Sequence, residues 1–247
     1  MAFSIFQLIN FTLVIAFLFI VFKLAETNWS YKISKPHAWE DAIKNGSVSK
    51  KLKRIERLYR DKVRFYTFWF QIERLKKNSI AGSFAEVGVY KGGTAKIIHE
   101  MDPSRSFHLF DTFEGFDKDD LKKESPNPNH SIDFSDTNEE SVIVYIGGNS
   151  NIKIHKGYFP ATTENLVKEQ FSFVHLDADL YNPTLAGLHY FYPLLAPGGV
   201  IIIHDYNHTW EGLTEAVDEF IRTIPESIVE LADWQGSIMI IKNHQGS

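Results

Sequence analysis

The 247-residue chain has no cysteine, which excludes a disulfide framework, a thiolate zinc site and a thiol nucleophile together. It has no internal repeat and no surplus of positive charge, the net being -5. Its glycines never fall into the G-x-G-x-x-G spacing of a dinucleotide site. With 44% hydrophobic and 23% charged residues, the composition excludes collagen-like and disordered classes. Charge is also missing from the first 22 residues, Met1 to Phe22, whose core Phe11–Phe22 is almost wholly apolar.

That uncharged run is what is present where charge is absent. About 20 such residues cross the hydrocarbon layer as a helix. A cleaved signal peptide needs a basic start and a small-residue cleavage site, and neither flank supplies them. Gln7 and Asn10 dilute the run toward a buried core helix, but an uncleaved anchor over residues 1–22 fits best. Positive charge then begins. From Lys23 to Lys77 there are fifteen Lys and Arg against six Asp and Glu, and the remainder is strongly acidic. The positive-inside rule places the main domain in the cytoplasm, as a single-pass membrane protein. An acidic main domain is no nucleic-acid binder.

Residues 23–80 read as a basic linker and an amphipathic helix. Leu52, Ile55, Leu58, Tyr59, Val63, Tyr66, Trp69, Phe70 and Ile72 recur at three- and four-residue steps, predicting one long helix over Ser47–Lys77. Lys50, Lys51, Lys53, Arg54, Arg57 and Arg60 crowd its first half, suiting either anionic headgroups or an ordinary solvated face.

Residues 81–247 alternate short apolar runs with helical stretches. Strands are predicted at Phe84–Tyr90, Ser106–Phe113, Asn151–Lys156, Phe171–Asp177 and Gly199–Asp205, and at Ser227–Asp233 and Gly236–Lys242. Helices are predicted near Gly93–Met101, Pro160–Glu169, Tyr181–Leu195 and Glu211–Thr223, with a short one capped by Thr137. The polar stretch Glu114–Asp136 is too long for an ordinary connection and reads as a lid or substrate loop. The fold class is α/β, a Rossmann-like, mostly parallel sheet with helices on both faces.

Ligands of such sheets sit beyond the carboxyl ends of the strands, and chemistry-bearing residues gather there. Gly88, Gly92 and Gly93 let backbone approach a ligand before a helix N-terminus. Asp111 ends the next strand, where a carboxylate can accept ribose hydroxyls or simply cap a turn. Asp177, Asp179, His204 and Asp205 end two further strands. Asp177, His204 and Asp205 are candidate ligands for a hard divalent ion, Mg²⁺ or Mn²⁺. The alternative is that these carboxylates only serve turns and caps. His99, His108, His155 and His189 read as structural or surface residues.

Six blocks in order carry a family resemblance: Glu86–Thr94, His108–Phe116, Lys156–Pro160, His175–Tyr181, Pro197–Tyr206 and Ala216–Phe220. Together they resemble the macrocin O-methyltransferase (TylF-like) family of class I S-adenosylmethionine-dependent methyltransferases, over about Gly82 to Lys242. The resemblance implies a seven-stranded sheet in the order 3-2-1-4-5-7-6 with an antiparallel last strand. It implies cofactor contacts at Glu86, Gly88, Tyr90, Gly92, Asp111, Thr112, Phe113 and Asp177, with Glu86 and Gly88 under the methionine portion. Asp177 would be a metal ligand and general base, and His204 a second catalytic candidate. The family usually has Asp-Asp-Tyr where this chain has His204-Asp205-Tyr206, and imidazole prefers later ions than Mg²⁺. The implied reaction is methyl transfer to a hydroxyl of a sugar or glycan, the acceptor being a small molecule or a lipid-linked saccharide. Homo-oligomerisation stays open. Two alternatives compete. A nucleotide-sugar or NAD-dependent oxidoreductase lacks its glycine fingerprint here. A non-catalytic, membrane-tethered cofactor-binding scaffold would have no use for Asp111, Asp177 and Asp205.

Overall fold

In a computed structural model, the structure describes residues 4–126, 131–132, 134–148, 150–164 and 166–243. The chain divides into two compact units, Met1–Ser49 and Lys50–Ser247.

The first unit holds α1 (Ile5–Ser34) and α2 (His37–Lys44). Ser4 caps α1 in a reciprocal box with Gln7. The helix does not stop where charge begins at Phe22. Lys23 pairs with Glu26 one turn on, at 2.7 Å, so charge is absorbed along the helix rather than ending it. The stretch Ile5–Trp29 is apolar, wholly unburied and long enough to cross a membrane.

The second unit begins with α3 (Lys50–Leu58) and α4 (Lys62–Lys77), where periodicity predicts one helix. The break has a local cause. Asp61 leaves the helical conformation at ψ 92, and its side chain accepts the Arg64 N–H at 3.0 Å, capping a new helix. The apolar spacing runs on across this cap, so periodicity alone does not reveal it.

There follow β1 (Ser83–Val87), α5 (Gly93–Met101), β2 (Phe107–Asp111), α6 (Lys118–Leu121), α7 (Glu139–Ile146), β3 (Ile152–Lys156) and β4 (Phe171–Leu176). The chain closes with α8 (Tyr181–Leu194), β5 (Leu195–Ile203), α9 (Glu211–Ile221), β6 (Val229–Glu230) and β7 (Ile238–Ile241). The seven strands form one sheet in the order β3-β2-β1-β4-β5-β7-β6, with β7 antiparallel to both neighbours. This is the sheet the resemblance implies. Every residue of β1 and β4 is buried, as expected for central parallel strands covered on both faces. Phe110, Phe171, Phe191, Leu188, Ile201 and Phe220 belong to one continuous apolar core.

Three local expectations change. The cap of α7 is Asn138, not Thr137, with Ser141 completing the box. The helix predicted over Pro160–Glu169 is, among the described residues, a single 3₁₀ turn at Ala161–Thr163. There the Thr163 hydroxyl donates to the Pro160 carbonyl at 2.7 Å, a local bond that competes with helix extension. Strand β5 starts at Leu195 rather than Gly199, because helix α8 ends just after Pro193. Part of the Glu114–Asp136 stretch, residues 127–130 and 133, lies outside the described residues.

Candidate active site

The carboxyl ends of β1, β2, β4 and β5 converge on one cavity of about 510 Å³, within the range of small-molecule sites. Four of the five described non-glycine residues with positive φ stand at these ends: Tyr90, Phe113, Asp179 and Asp205. Backbone held in sparsely populated conformations gathers where a fold positions groups for use.

At the β1 end, the chain turns at Gly88 with φ +83. A Cβ there would lie 1.9 Å from the Asp177 carbonyl oxygen, so no other residue fits. The turn is then stitched to β2 by one carboxylate. Asp111 Oδ2 accepts the Val89 and Tyr90 N–H groups at 2.7 Å each, and Oδ1 accepts the Phe113 N–H at 2.7 Å. Both readings of Asp111 therefore meet in one residue. It caps its turn, and it also lines the cavity with acceptor capacity left on Oδ1.

Gly88, Tyr90, Asp111, Thr112 and Asp177 line the cavity, whereas Glu86, Gly92 and Phe113 do not. Gly92 is the left-handed N-cap of α5 and sets its direction. Phe113 is buried. Glu86 is fully buried below the cavity, with Oε1 2.9 Å from His175 Nδ1. Burial, then the nearby Asp177 charge, pushes the Glu86 carboxyl well above its ordinary range, and burial holds His175 at about 3. The pair is a neutral hydrogen bond inside the sheet.

The β4 and β5 ends are ionic. His204 Nδ1 lies 2.9 Å from Asp177 Oδ1 and 3.1 Å from Asp205 Oδ1. Burial alone would lower the imidazole, but the Asp177 charge and hydrogen bond, with the Asp205 carboxylate close by, overcome it and raise His204 to about 10. Burial alone would raise Asp177, and the imidazolium outweighs that, holding it below the carboxylate range. Asp179, also at the cavity wall, is pushed up by burial and by Asp177 and Asp205. The buried Nε2 of His204 has no hydrogen-bond partner.

One candidate atom each from Asp177, His204 and Asp205 lies within 4.8 Å of the others. The two short spacings at His204 match the edge of about 3 Å between neighbouring ligands of an octahedral ion held at about 2.1 Å. The donor set therefore fits a divalent ion. Its imidazole moves the preference from Mg²⁺ toward Mn²⁺ and later metals.

The long loop reaches the cavity at its far end. Tyr90 Oη donates to Asp136 at 2.7 Å, Lys91 pairs with the same carboxylate, and Phe134 packs edge-on against Tyr90 and Phe116.

Motif reading misses several cavity residues. Arg64 of α4 lines the cavity, is only 8% exposed, and is held by Asp61, Asp233 and Gln235. In sequence it is one more cation in a basic helix. The Asp61 cap three residues earlier is the one local signal that this cation turns inward. Trp210 and Gln235 also reach the wall, each from a loop with no chemical signature, as do Tyr158 and Phe159 of the Lys156–Pro160 block, which the motif resemblance gives no role at the site.

The family model described as macrocin-O-methyltransferase (TylF) matches residues 62–239, well over half of the chain. The match begins at the first residue of α4, earlier than the motif blocks reach. A similar protein is mycinamicin III 3''-O-methyltransferase of Micromonospora griseorubida, 28% identical over 67% of this chain and 70% of that protein. Another is 8-demethyl-8-(2,3-dimethoxy-alpha-L-rhamnosyl)-tetracenomycin-C 4'-O-methyltransferase of Streptomyces olivaceus, 25% identical over 55% of this chain and 57% of that protein. Among solved structures, the O-methyltransferase NovP superposes with a TM-score of 0.62 at 20% identity, covering 74% of this chain and 81% of that one.

Proposed function

We propose, from the premise that this chain belongs to the macrocin-O-methyltransferase family and is an S-adenosylmethionine-dependent O-methyltransferase, that its acceptor is a hydroxyl of a sugar or glycan and that Asp177 stands at the reacting oxygen. The observation that carries this reading is the single cavity joining the β1–β2 turn to the Asp177–His204–Asp205 cluster. Both relatives named above methylate sugars, which supports the acceptor class. Family membership sets aside the oxidoreductase alternative.

The Gly88–Thr94 turn and Asp111 would hold the cofactor, Asp111 accepting from a ribose hydroxyl, and the cofactor would supply the methyl group as a sulfonium. The acceptor oxygen attacks the methyl carbon in line, the S–C bond breaks as the O–C bond forms, and S-adenosylhomocysteine leaves as a neutral thioether. Holding oxygen and methyl about 3 Å apart supplies most of the acceleration.

Asp177 accepts the hydroxyl's hydrogen bond and, because His204 holds its carboxyl below the usual range, takes the proton only as the O–C bond forms and the oxygen becomes acidic. His204 is already protonated between two carboxylates, so it acts as a fixed positive charge rather than as the base. A divalent ion held by Asp177, His204 and Asp205 would polarise the acceptor oxygen and lower the pKa of its hydroxyl. Loading it releases the His204 proton, so occupancy should rise with pH.

The uncharged helix and its basic flank support a membrane anchor with the catalytic unit in the cytoplasm, where S-adenosylmethionine is made. Mass spectrometry of cell-envelope saccharides, with and without the protein, tests the activity. A methyl increment that appears only with the protein is expected. Its absence, together with no transfer from labelled cofactor to any saccharide fraction, would overturn the reading.

A further inference from the structure

The corner between α3 and α4 carries a feature that methyl transfer does not use. Leu58 at the end of α3 is 69% exposed, and Trp234 in the turn before β7 is 75% exposed. Val63, in the first turn of α4, is also exposed. Exposed apolar side chains grouped at one corner mark a surface suited to contact with a partner.

Polar bonds hold the corner in place. Asp61 Oδ2 accepts the Trp234 N–H at 2.9 Å, while Oδ1 accepts the Arg64 N–H. Arg64 and Gln235, the chain neighbours of these exposed tips, are bonded at 3.3 Å and line the cavity. Val63 and Trp234 are thus next in the chain to residues of the cavity wall.

The acidic groups at the corner, Asp61 and Asp233, are buried, and the exposed charges along α3 and just after it are cationic. Lys50, Lys53, Arg54 and Arg57 lie on the outer side of α3, opposite buried Leu52 and Glu56, and exposed Arg60 follows. None of these five forms a salt bridge among the described residues, whereas exposed Lys51 pairs with Glu100 and buried Arg64 with Asp61. The same chain carries the unburied span Ile5–Trp29. The segment from Ser34 to Lys50, which includes the eight-residue α2, can extend no more than about 40 Å.

We propose that this corner docks on the anionic surface of a lipid bilayer. Leu58 and Trp234 enter the headgroup–acyl boundary, and the unpaired cations face acidic headgroups. Tryptophan suits that boundary because its ring is apolar and its N–H is polar. The cavity mouth then opens beside the membrane, which makes the acceptor a saccharide carried on a lipid. This last step rests on the methyl-transfer reading, while docking itself does not.

The absence of cysteine makes the test clean. Full-length Leu58→Cys, Trp234→Cys and Val167→Cys variants each take one fluorophore. Val167 is 88% exposed and precedes β4, at the end of the sheet away from the cavity. The labelled chains are reconstituted in phosphatidylcholine vesicles with or without phosphatidylglycerol, and quenching by nitroxide-labelled lipid is read. Labels at 58 and 234 should be quenched when phosphatidylglycerol is present, and the label at 167 should not.

Adding Arg57→Glu and Arg60→Glu should lower the docked-to-undocked ratio by at least roughly twentyfold, since each cation near an anionic surface contributes about a factor of five. Equal, weak quenching at all three positions would overturn the proposal. So would energy transfer between labels at 58 that persists in detergent and rises with protein concentration, which would assign the corner to a second copy. A chain that methylates but does not dock fails this inference alone; one that docks but never consumes S-adenosylmethionine fails the catalytic reading alone.

Discussion

The two ends of the cavity solve the problem of holding a ligand in opposite ways. The β1–β2 end is built from backbone. A glycine turn is pinned to Asp111 by the Val89 and Tyr90 N–H groups, and the Phe113 N–H adds a third bond to the same carboxylate before any ligand arrives. The β4–β5 end is built from side-chain charge, with an imidazolium between two carboxylates and an orphaned Nε2 on its far side. Backbone geometry gives a rigid cradle that tolerates little substitution. Clustered charge gives a polarised site whose state depends on protons and cations.

The harshest test falls where the ends touch. Gly88→Ala puts a methyl group on the Asp177 carbonyl and should cost more than about 4 kcal/mol, since backbone must move. Little folded protein is expected by thermal unfolding. A stable variant that still binds S-adenosylhomocysteine would erase the distinction between the ends.

Asp177→Asn keeps the shape of the ionic end but removes its charge. Turnover should fall by roughly 10²–10⁴, the usual contribution of a positioned base, with cofactor affinity unchanged by calorimetry. Equal loss of both would mean that Asp177 belongs to the cofactor end.

The pH response separates the ends further. His204 is raised in the folded state from 6.5 to about 10, so its pairing stabilises fully below pH 6.5 and is lost as pH rises through 10. In chelator, stability should drop by about 2–4 kcal/mol between pH 7 and pH 10, and His204→Gln should flatten that slope. An identical slope in wild type and variant would place the titration elsewhere.

Asp111→Ala is the matching change at the backbone end. Cofactor affinity should weaken by about 2 kcal/mol, with a comparable loss of stability because the Val89, Tyr90 and Phe113 N–H groups lose their acceptor. The smallest effect belongs to the loop tether. Asp136→Ala breaks an exposed pair with Lys91 and the Tyr90 hydroxyl, and should leave the unfolding temperature essentially unchanged. A rise in acceptor KM at unchanged kcat would show that the tether orders the loop over the acceptor.

The sheet was legible because its signals are local. Buried stretches such as Val200–Ile203 are continuous apolar runs, and Gly93–Met101 is bounded by a glycine turn and a following Asp-Pro. Failures came where one side chain redirects the backbone: Asp61 splitting a periodic helix, Thr163 holding a 3₁₀ turn, Asn138 taking the cap from Thr137. At the site, Asp111, Asp177, His204 and Asp205 were visible because they directly follow apolar strand runs, at the end of the sheet where ligands bind. Arg64, Trp210 and Gln235 were not, because nothing in the chain says which way a loop or a helical cation turns.

The sequence by itself determined an uncharged segment long enough to span a bilayer, an alternating α/β order, and the strand ends on which the chemistry-bearing residues fall. These follow from hydrophobic period, glycine and carboxylate placement, all readable within a few residues. Only the tertiary structure decided that Asp111 is already bonded to the turn it faces, that His204 lies between Asp177 and Asp205, and that Arg64 points into the cavity. Each depends on distances between segments far apart in the chain, which parallel strand pairing sets and local pattern does not encode.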